Sequence, residues 1–207
     1  MHAENTLLKH SRVNSCGALF QARVFTEGSE PDRHFRLAEA QFSRMGGAHK
    51  VEAVEVIINP PLLRVFEAKQ RELLERDGVD TTILSFHGTT SEANIESIVA
   101  HNFDIGMLAA NTGNRGHYGA GIYFSEHANV AEGYARGRIR KVLLCKLLLG
   151  REYNIGGANP TGATPGVGAP LMPGFDSHVV HGAHGIGQEV VIYDTAQILP
   201  CYVIHWS

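Results

Sequence analysis

Six short runs of β-branched or alternating apolar residues, separated by glycine, proline and polar residues, constrain the fold of this chain most. They cover residues 51–58, 81–86, 122–124, 139–149, 189–193 and 201–206. Short bounded runs of this composition are typical of strands, and the last two alternate with a period of two residues. We therefore predict an α+β fold, in which a mainly antiparallel β core carries a few flanking helices.

Helical signals lie between these runs. Residues 32–45 place apolar side chains at the three- and four-residue steps of one helical face. A second helix is predicted from about residue 61 to 77, because a proline stands in its first turn and Gly78 follows its end. A third helix is predicted to run to residue 100 with Ser91 as its N-cap, and a fourth over residues 128–136.

Two glycine-rich stretches, residues 104–121 and 156–187, are predicted to be loops. The second holds nine glycines and four prolines in 32 residues, which is too many for regular structure. A loop of that length in a compact domain is usually functional or mobile. Residues 1–30 give no clear pattern and are treated as a separate N-terminal segment, so residues 31–207 are predicted to form a single domain.

The composition excludes several classes of protein. Of the 207 residues, 43% are apolar and 19% are charged, which is enough apolar surface for a core. The net charge of −3 argues against a nucleic-acid partner held by phosphate contacts. No apolar run is long enough to span a membrane, and no secretory signal is evident. The three cysteines, Cys16, Cys145 and Cys201, are widely spaced, which favours an intracellular, reducing location without distinguishing cytoplasm from nucleus.

Three polar residues stand at the ends of predicted strands beside glycine, where a ligand can approach the backbone closely. They are His87, Tyr123 and Glu189. Each taken alone is more often structural than functional. His181 and His184 lack two further ligands at metal spacing, so no metal site is predicted. The common hydrolase and NTPase motifs are absent from the sequence.

Taken in order, the motifs around these residues form a recognisable series. They are FHGT at 86–89, YGAGIYFS at 118–125 followed by Tyr134, and QEVVIYD at 188–194 followed by QILP at 197–200 and YVI at 202–204. Upstream, VEVIINPPL at 54–62 precedes Phe66 and Lys69. This series closely resembles the catalytic domain of the poly(ADP-ribose) polymerase family, over roughly residues 30–206. The family consists of ADP-ribosyltransferases of the diphtheria-toxin-like type, which carry a His–Tyr–Glu triad on a split β core.

The resemblance implies an NAD-dependent protein ADP-ribosyltransferase that uses NAD as a substrate and needs no metal. His87, Tyr123 and Glu189 would be the catalytic triad. His87 would hold a ribose hydroxyl of the adenosine half of NAD, and Glu189 the 2′-hydroxyl of the nicotinamide ribose. The Gly88 backbone would bind the nicotinamide carboxamide, and Tyr123 and Tyr134 would enclose its ring.

The same resemblance places Thr89 and Ala131 in the NAD-binding site. Residues 104–117 would be the donor loop over the dinucleotide, and residues 156–187 a variable region leading to the acceptor side. Many family members have a serine that binds the carboxamide three residues before the second stacking tyrosine, where this chain has Ala131. One lost neutral hydrogen bond costs about 0.5–1.5 kcal/mol, so we expect weakened NAD binding.

Several functions stay open at this point. Glu189 permits growth of an ADP-ribose chain, but the upstream segment resembles the mono-transferring branch, so mono- and poly-transfer are both retained. The acceptors implied are proteins, with the chain itself among the candidates, and no membrane partner is expected. The alternatives are a catalytically weak module that binds NAD or ADP-ribose, and an NAD glycohydrolase in which water attacks at the same site.

Overall fold

The computed structural model describes residues 9–13, 19–26, 33–107, 116–135, 139–156, 165, 167–182 and 187–207. Within these ranges the chain forms ten strands and four α-helices. The strands are β1 (Lys9–Val13), β2 (Leu19–Thr26), β3 (Val51–Ile58), β4 (Thr82–His87), β5 (Ile122–Ser125), β6 (Lys141–Leu148), β7 (Glu152–Ile155), β8 (Ser177–His181), β9 (Gln188–Ile192) and β10 (Ile198–Trp206). The helices are α1 (Arg33–Arg44), α2 (Pro60–Asp77), α3 (Glu92–His101) and α4 (Ala128–Tyr134).

All ten strands belong to one sheet, in the order β1-β2-β3-β10-β6-β4-β5-β9-β8-β7. Neighbouring strands are antiparallel except β7 and β8, which are parallel. The prediction of an α+β fold with a mainly antiparallel core is therefore confirmed.

The sheet is almost divided between β4 and β5. A single bridge, Phe86 with Ser125, joins these two strands, whereas β4 pairs with β6 over six positions. Beyond this bridge the ends of β4 and β5 diverge, because no further backbone ladder holds them together. The result is a split core, and residues of the predicted motifs line the opening between its halves.

Three strand regions differ from the sequence prediction. Strand β8 lies inside residues 156–187, which were predicted to be a loop throughout, and the short strand β7 was not predicted. The error has a physical cause, because the glycines and prolines surround β8 but leave its SHVVH segment uninterrupted. Strands β1 and β2 lie within residues 1–30, which gave no pattern, and they extend the sheet through pairing of β2 with β3.

The helices follow the prediction more closely. α1, α2 and α3 agree with it to within a residue or two at each end. α4 ends at Tyr134, two residues before the predicted end, and residues 136–138 lie outside the described part of the chain. Ser91 is the N-cap residue of α3 as predicted, but its side chain makes no capping hydrogen bond.

The core lies on both faces of the sheet, as alternate residues of β6 show. Leu143, Cys145 and Leu147 pack against a cluster on one face that includes apolar side chains of α3. Val142 and Leu144 pack against a cluster on the other face that includes side chains of α1 and α4.

Cys145 and Cys201 are free thiols, and Cys16 is outside the described residues. No described helix combines the length and apolar character needed to cross a membrane.

Asn59 joins two helices through its side chain. It is buried, and its side-chain amide donates to the carbonyls of Val99 (2.9 Å) and Ala100 (3.1 Å) near the end of α3. Its side-chain oxygen accepts from the Leu62 amide at 3.4 Å, which makes it the N-cap of α2. One side chain therefore holds the start of α2 against the end of α3.

We expect Asn59→Ala to lower the free energy of unfolding by about 2–4 kcal/mol, since it removes a cap and leaves two carbonyls of α3 without their donor. The matched control is Ser91→Ala, which deletes an N-cap side chain that makes no capping bond and should cost less than about 0.5 kcal/mol. Urea unfolding of both variants measures the difference. Equal losses would contradict the assigned role of Asn59.

Candidate active site

A cavity of about 910 Å³ opens at the split in the sheet. It falls near the upper end of the size range of small-molecule sites, roughly 300–1,000 Å³. The ends of β4 and β5, the helices α3 and α4, and residues 116–121, which we call the wall loop, contribute to its lining. Every site residue predicted from the sequence lies on its wall: His87, Gly88, Thr89, Tyr123, Ala131, Tyr134 and Glu189.

His87 bridges the split where the backbone ladder has ended. Its Nδ1 lies 2.9 Å from the carbonyl oxygen of Tyr123, which can only accept, so Nδ1 carries the proton. Burial lowers the pKa of His87, and the bond to the Tyr123 carbonyl opposes part of that decrease. The imidazole is therefore neutral near pH 7, and its Nε2 is an acceptor.

Gly88 permits the close packing of α4 against the end of β4. A Cβ atom at this position would stand only 1.8 Å from the Ala131 carbonyl oxygen and 3.1 Å from the Tyr134 Cβ atom. Any larger residue would therefore push α4 away from the strand. This contact places Ala131 and Tyr134 of α4 beside the Gly88 backbone, so that the FHGT segment and the helix that follows YGAGIYFS lie next to each other.

The wall loop is held by the hydroxyl of Tyr123. That hydroxyl accepts from the Tyr118 amide (2.8 Å) and donates to the Gly119 carbonyl (2.9 Å). Burial raises the pKa of Tyr123 to about 12, with a further contribution from the nearby Glu189 carboxylate. The phenol stays protonated at neutral pH, so Tyr123 offers the cavity an aromatic surface rather than a base.

Glu189 supplies a carboxylate at the inner wall of the cavity. It lies on β9, opposite Ser125 of β5, and only 6% of its surface is exposed. The other acidic residue of the described lining is Asp104, and none of the described lining residues is lysine or arginine. These two carboxylates favour positive charge in the parts of a bound molecule that lie nearest to them.

Tyr134 differs from Tyr123 in its exposure. It is 54% exposed and lies at the mouth of the cavity, whereas Tyr123 is half-buried. The Tyr134 phenol is near enough to Tyr123 to contribute to the rise in its pKa. Two tyrosines from β5 and α4 therefore approach the same part of the cavity.

The sequence prediction missed two residues that support the site. The Asn94 amide on α3 donates to the Thr89 hydroxyl at 3.0 Å, so that hydroxyl is oriented by the helix. The ring of Phe103 packs edge-on against the His87 imidazole, with 4.8 Å between ring centres. Both line the cavity. The only sequence signal for either residue was that Asn94 lies in the first turn of the predicted helix that follows the FHGT motif, close enough in the chain to contact it.

The described residues gather no group of three or more histidine, cysteine or acidic side chains that could hold a metal ion. Nε2 of His181 lies 3.1 Å from the Asn154 side-chain oxygen, and His184 lies outside the described residues. Of the predicted donor loop, residues 108–115 also lie outside them.

We expect Gly88→Ala to destabilise the protein by about 1–3 kcal/mol, because the new methyl group would overlap the Ala131 carbonyl. Gly133→Ala on α4 is the matched control, since a Cβ atom there meets nothing within 4 Å. That variant should gain about 0.5–1 kcal/mol in stability from reduced chain entropy. Urea unfolding measures both, and a Gly88→Ala variant as stable as the parent would rule out this packing.

Comparison with known proteins identifies the family of this chain. The family model described as the poly(ADP-ribose) polymerase catalytic domain matches residues 33–169, about two thirds of the chain. The matched region contains the first two motifs and all the predicted site residues except Glu189. A comparison with curated proteins found no match. The chain belongs to the poly(ADP-ribose) polymerase catalytic domain family, the members of which are ADP-ribosyltransferases that use NAD as their substrate.

Proposed function

We propose that this chain transfers ADP-ribose from NAD to protein acceptors, with release of nicotinamide. The observation that carries the proposal is the buried Glu189 carboxylate on the wall of a cavity that also contains His87, Gly88, Tyr123 and Tyr134. A buried acid in an otherwise largely apolar cavity can stabilise a cationic transition state more strongly than it could in water.

The nicotinamide half of NAD would bind between Tyr123 and Tyr134. Aromatic walls hold a planar ring at low entropic cost, and the exposed Tyr134 can approach a bound ring from the cavity mouth. The Gly88 N–H and carbonyl can pair with the carboxamide, which needs one donor and one acceptor. The Ala131 carbonyl lies beside this backbone, and the Ala131 side chain carries no donor.

The adenosine half would meet His87. Because Nδ1 donates to the Tyr123 carbonyl, the neutral imidazole presents Nε2 as an acceptor for a ribose hydroxyl. The Thr89 hydroxyl, which accepts from Asn94, retains its own proton for donation to the dinucleotide. These two residues would therefore offer complementary groups to a ribose diol.

The reaction breaks the bond between the ribose C1′ atom and the nicotinamide nitrogen. The bonding electrons leave with nicotinamide, which becomes neutral, while the ribose acquires oxocarbenium character. The Glu189 carboxylate would bond the 2′-hydroxyl and stabilise the positive charge that develops on the ring. An acceptor nucleophile then forms the new bond to C1′ and loses its proton.

Incubation with NAD labelled in its adenylate moiety tests the proposal. Release of nicotinamide with label on protein supports transfer, and the length of the labelled products separates mono- from poly-transfer. Release without label on protein would instead indicate a glycohydrolase. NAD binding without release would indicate a binding module.

Glu189→Gln should lower turnover by roughly 10²-fold or more with a much smaller effect on NAD affinity, because the lost charge acts mainly on the transition state. The control is Glu132→Gln on α4, whose carboxylate is also shielded but pairs with His49 at 2.9 Å. Nicotinamide release and calorimetric NAD binding report the two quantities. Equal turnover in Glu189→Gln and the parent would remove this residue from the mechanism.

Ala131→Ser should tighten binding of benzamide, a mimic of nicotinamide, by up to about tenfold, because it restores a donor beside Gly88. The gain shrinks if a water already bridges to the carboxamide. Ala128→Ser provides the comparison, since it makes the same change one turn earlier on α4, in the same apolar cluster but at a residue that does not line the cavity. Calorimetry on folded protein measures both. Weaker benzamide binding by Ala131→Ser than by Ala128→Ser would contradict the placement of the carboxamide.

A further inference from the structure

A buried histidine and a tyrosine that the mechanism does not use lie directly behind the wall loop. His178 lies on β8 and is fully buried, and Tyr193 follows the end of β9. Their nearest polar atoms, Nδ1 of His178 and the Tyr193 hydroxyl, are 2.8 Å apart. Neither residue lines the cavity among the described lining residues, so both act through other groups.

His178 connects two loops with its two ring nitrogens. Nδ1 lies 2.7 Å from the Tyr118 carbonyl in the wall loop, and Nε2 accepts from the Met172 amide at 3.0 Å. A carbonyl can only accept and an amide N–H can only donate, so the ring must be neutral with its proton on Nδ1. Met172 ends residues 167–172, which we call the back loop.

Tyr193 reinforces the same point of the wall loop. Its hydroxyl is 3.4 Å from the Tyr118 carbonyl, toward which it can donate. The hydroxyl also lies where a side chain at Gly119 would stand, since a Cβ atom there would be 1.8 Å away. Gly119 has a φ of +121°, a conformation that side-chain-bearing residues rarely adopt.

The two loops are also tied to each other and to the site. The Gly168 amide donates to the Gly116 carbonyl (2.9 Å), and the Ala120 amide donates to the Ala169 carbonyl (2.7 Å). Tyr118 is bound on both sides, its carbonyl by His178 and its amide by the Tyr123 hydroxyl. Two hydrogen bonds, joined through the backbone of Tyr118, therefore connect His178 with Tyr123.

We propose that His178 and Tyr193 are positioning residues, which fix the wall loop and through it the Tyr123 ring, and that this requires His178 to be neutral. The inference rests on the proposed function for the identity of the ligand at this wall. It adds that the protonation state of His178, a side chain outside the cavity wall, controls the affinity of the nicotinamide subsite.

The sign of the pH effect follows from the tautomer. Burial lowers the pKa of His178, and the bond to Tyr118 opposes part of that decrease. A proton added at Nε2 would face the Met172 N–H and break that bond. The titratable groups that contact the ring are the phenols of Tyr193 and Tyr153, and Tyr118 packs in the same cluster. Burial raises the pKa of Tyr193, so its phenol stays neutral over this pH range and cannot compensate an added charge.

Protonation of His178 is therefore disfavoured in the folded state relative to the unfolded state. Its contribution to stability is complete above the unfolded pKa near 6.5 and is lost as the pH falls from there toward the lower folded value. Loosening of the wall loop should accompany that loss.

The first test is Tyr193→Phe against Tyr202→Phe. Each variant removes one phenol hydroxyl that pairs with a histidine, but the Tyr202 hydroxyl meets His34, away from the cavity, at 3.1 Å. At pH 7.5 we expect Tyr193→Phe to weaken benzamide binding about three- to tenfold and Tyr202→Phe to leave it unchanged. Equal affinities in the parent and Tyr193→Phe would overturn the role of Tyr193.

The second test compares His178→Asn with His178→Leu, two side chains of nearly the same shape. Asparagine can keep a donor toward the Tyr118 carbonyl, and leucine cannot. If His178 positions the wall, His178→Asn retains benzamide affinity within about threefold of the parent while His178→Leu loses tenfold or more. If it serves stability alone, both variants lower the melting temperature and leave affinity unaltered, which would overturn the proposal.

The pH profile completes the test. Between pH 7.5 and 5.5 the parent should lose benzamide affinity more steeply than His178→Asn, because asparagine has no group that gains a proton. His87 is present in both proteins, so its titration cancels in the comparison. Parallel profiles would contradict the requirement for a neutral His178.

Benzamide calorimetry needs no turnover, so a parent that binds benzamide without releasing nicotinamide would refute the proposed function alone. A parent that binds no benzamide would refute both.

Discussion

The hydrogen bond from the His87 imidazole to the Tyr123 carbonyl spans the gap where two halves of a sheet separate. Backbone pairing between β4 and β5 is reduced to the bridge between Phe86 and Ser125. A fully paired sheet would leave no cavity at this position, and an unbridged gap would leave the two halves free to spread. The histidine side chain takes over the connection one residue beyond the backbone bridge, so the opening has a defined width.

The same bond determines the chemistry of the imidazole. Because the carbonyl takes the Nδ1 proton, the ring is held in one tautomer and one orientation, with Nε2 as its remaining polar atom. The edge-on contact with Phe103 restricts the ring further. One residue after His87, the contact of Gly88 with the Ala131 carbonyl brings α4 against the end of β4. The site is thus assembled by one polar contact and one steric contact.

Much of this arrangement could be predicted from the sequence, because local signals were consistent. The β-branched run that forms β3, the capped α2 and the period of α1 each specify their element without tertiary information. The candidate site residues were predicted from the order of three motifs, since single residues beside glycine carry too little information. Their meeting at one cavity wall depends on β5 lying between β4 and β9, which periodicity alone does not reveal.

The missed features depend on contacts between distant residues. Strand β8 is short and surrounded by turn residues, and its existence depends on pairing with β7 and β9. The bonds from Asn59 to Val99 and Ala100 join positions 40 and 41 residues apart, which no local pattern reveals. His178 and Tyr193 acquire their roles only when β8 and β9 place them behind residues 116–121.

The hydroxyl of Tyr123 has its proton and one of its lone pairs engaged by the wall loop. A flat molecule against this wall therefore gains contact area from the ring but little polar recognition from the phenol. Under the proposed function, discrimination among flat rings of similar size would fall to the N–H and carbonyl of Gly88. Selectivity and affinity would then come from different parts of the chain, and a compound that exchanges the carboxamide for another group would lose selectivity while keeping most of its affinity.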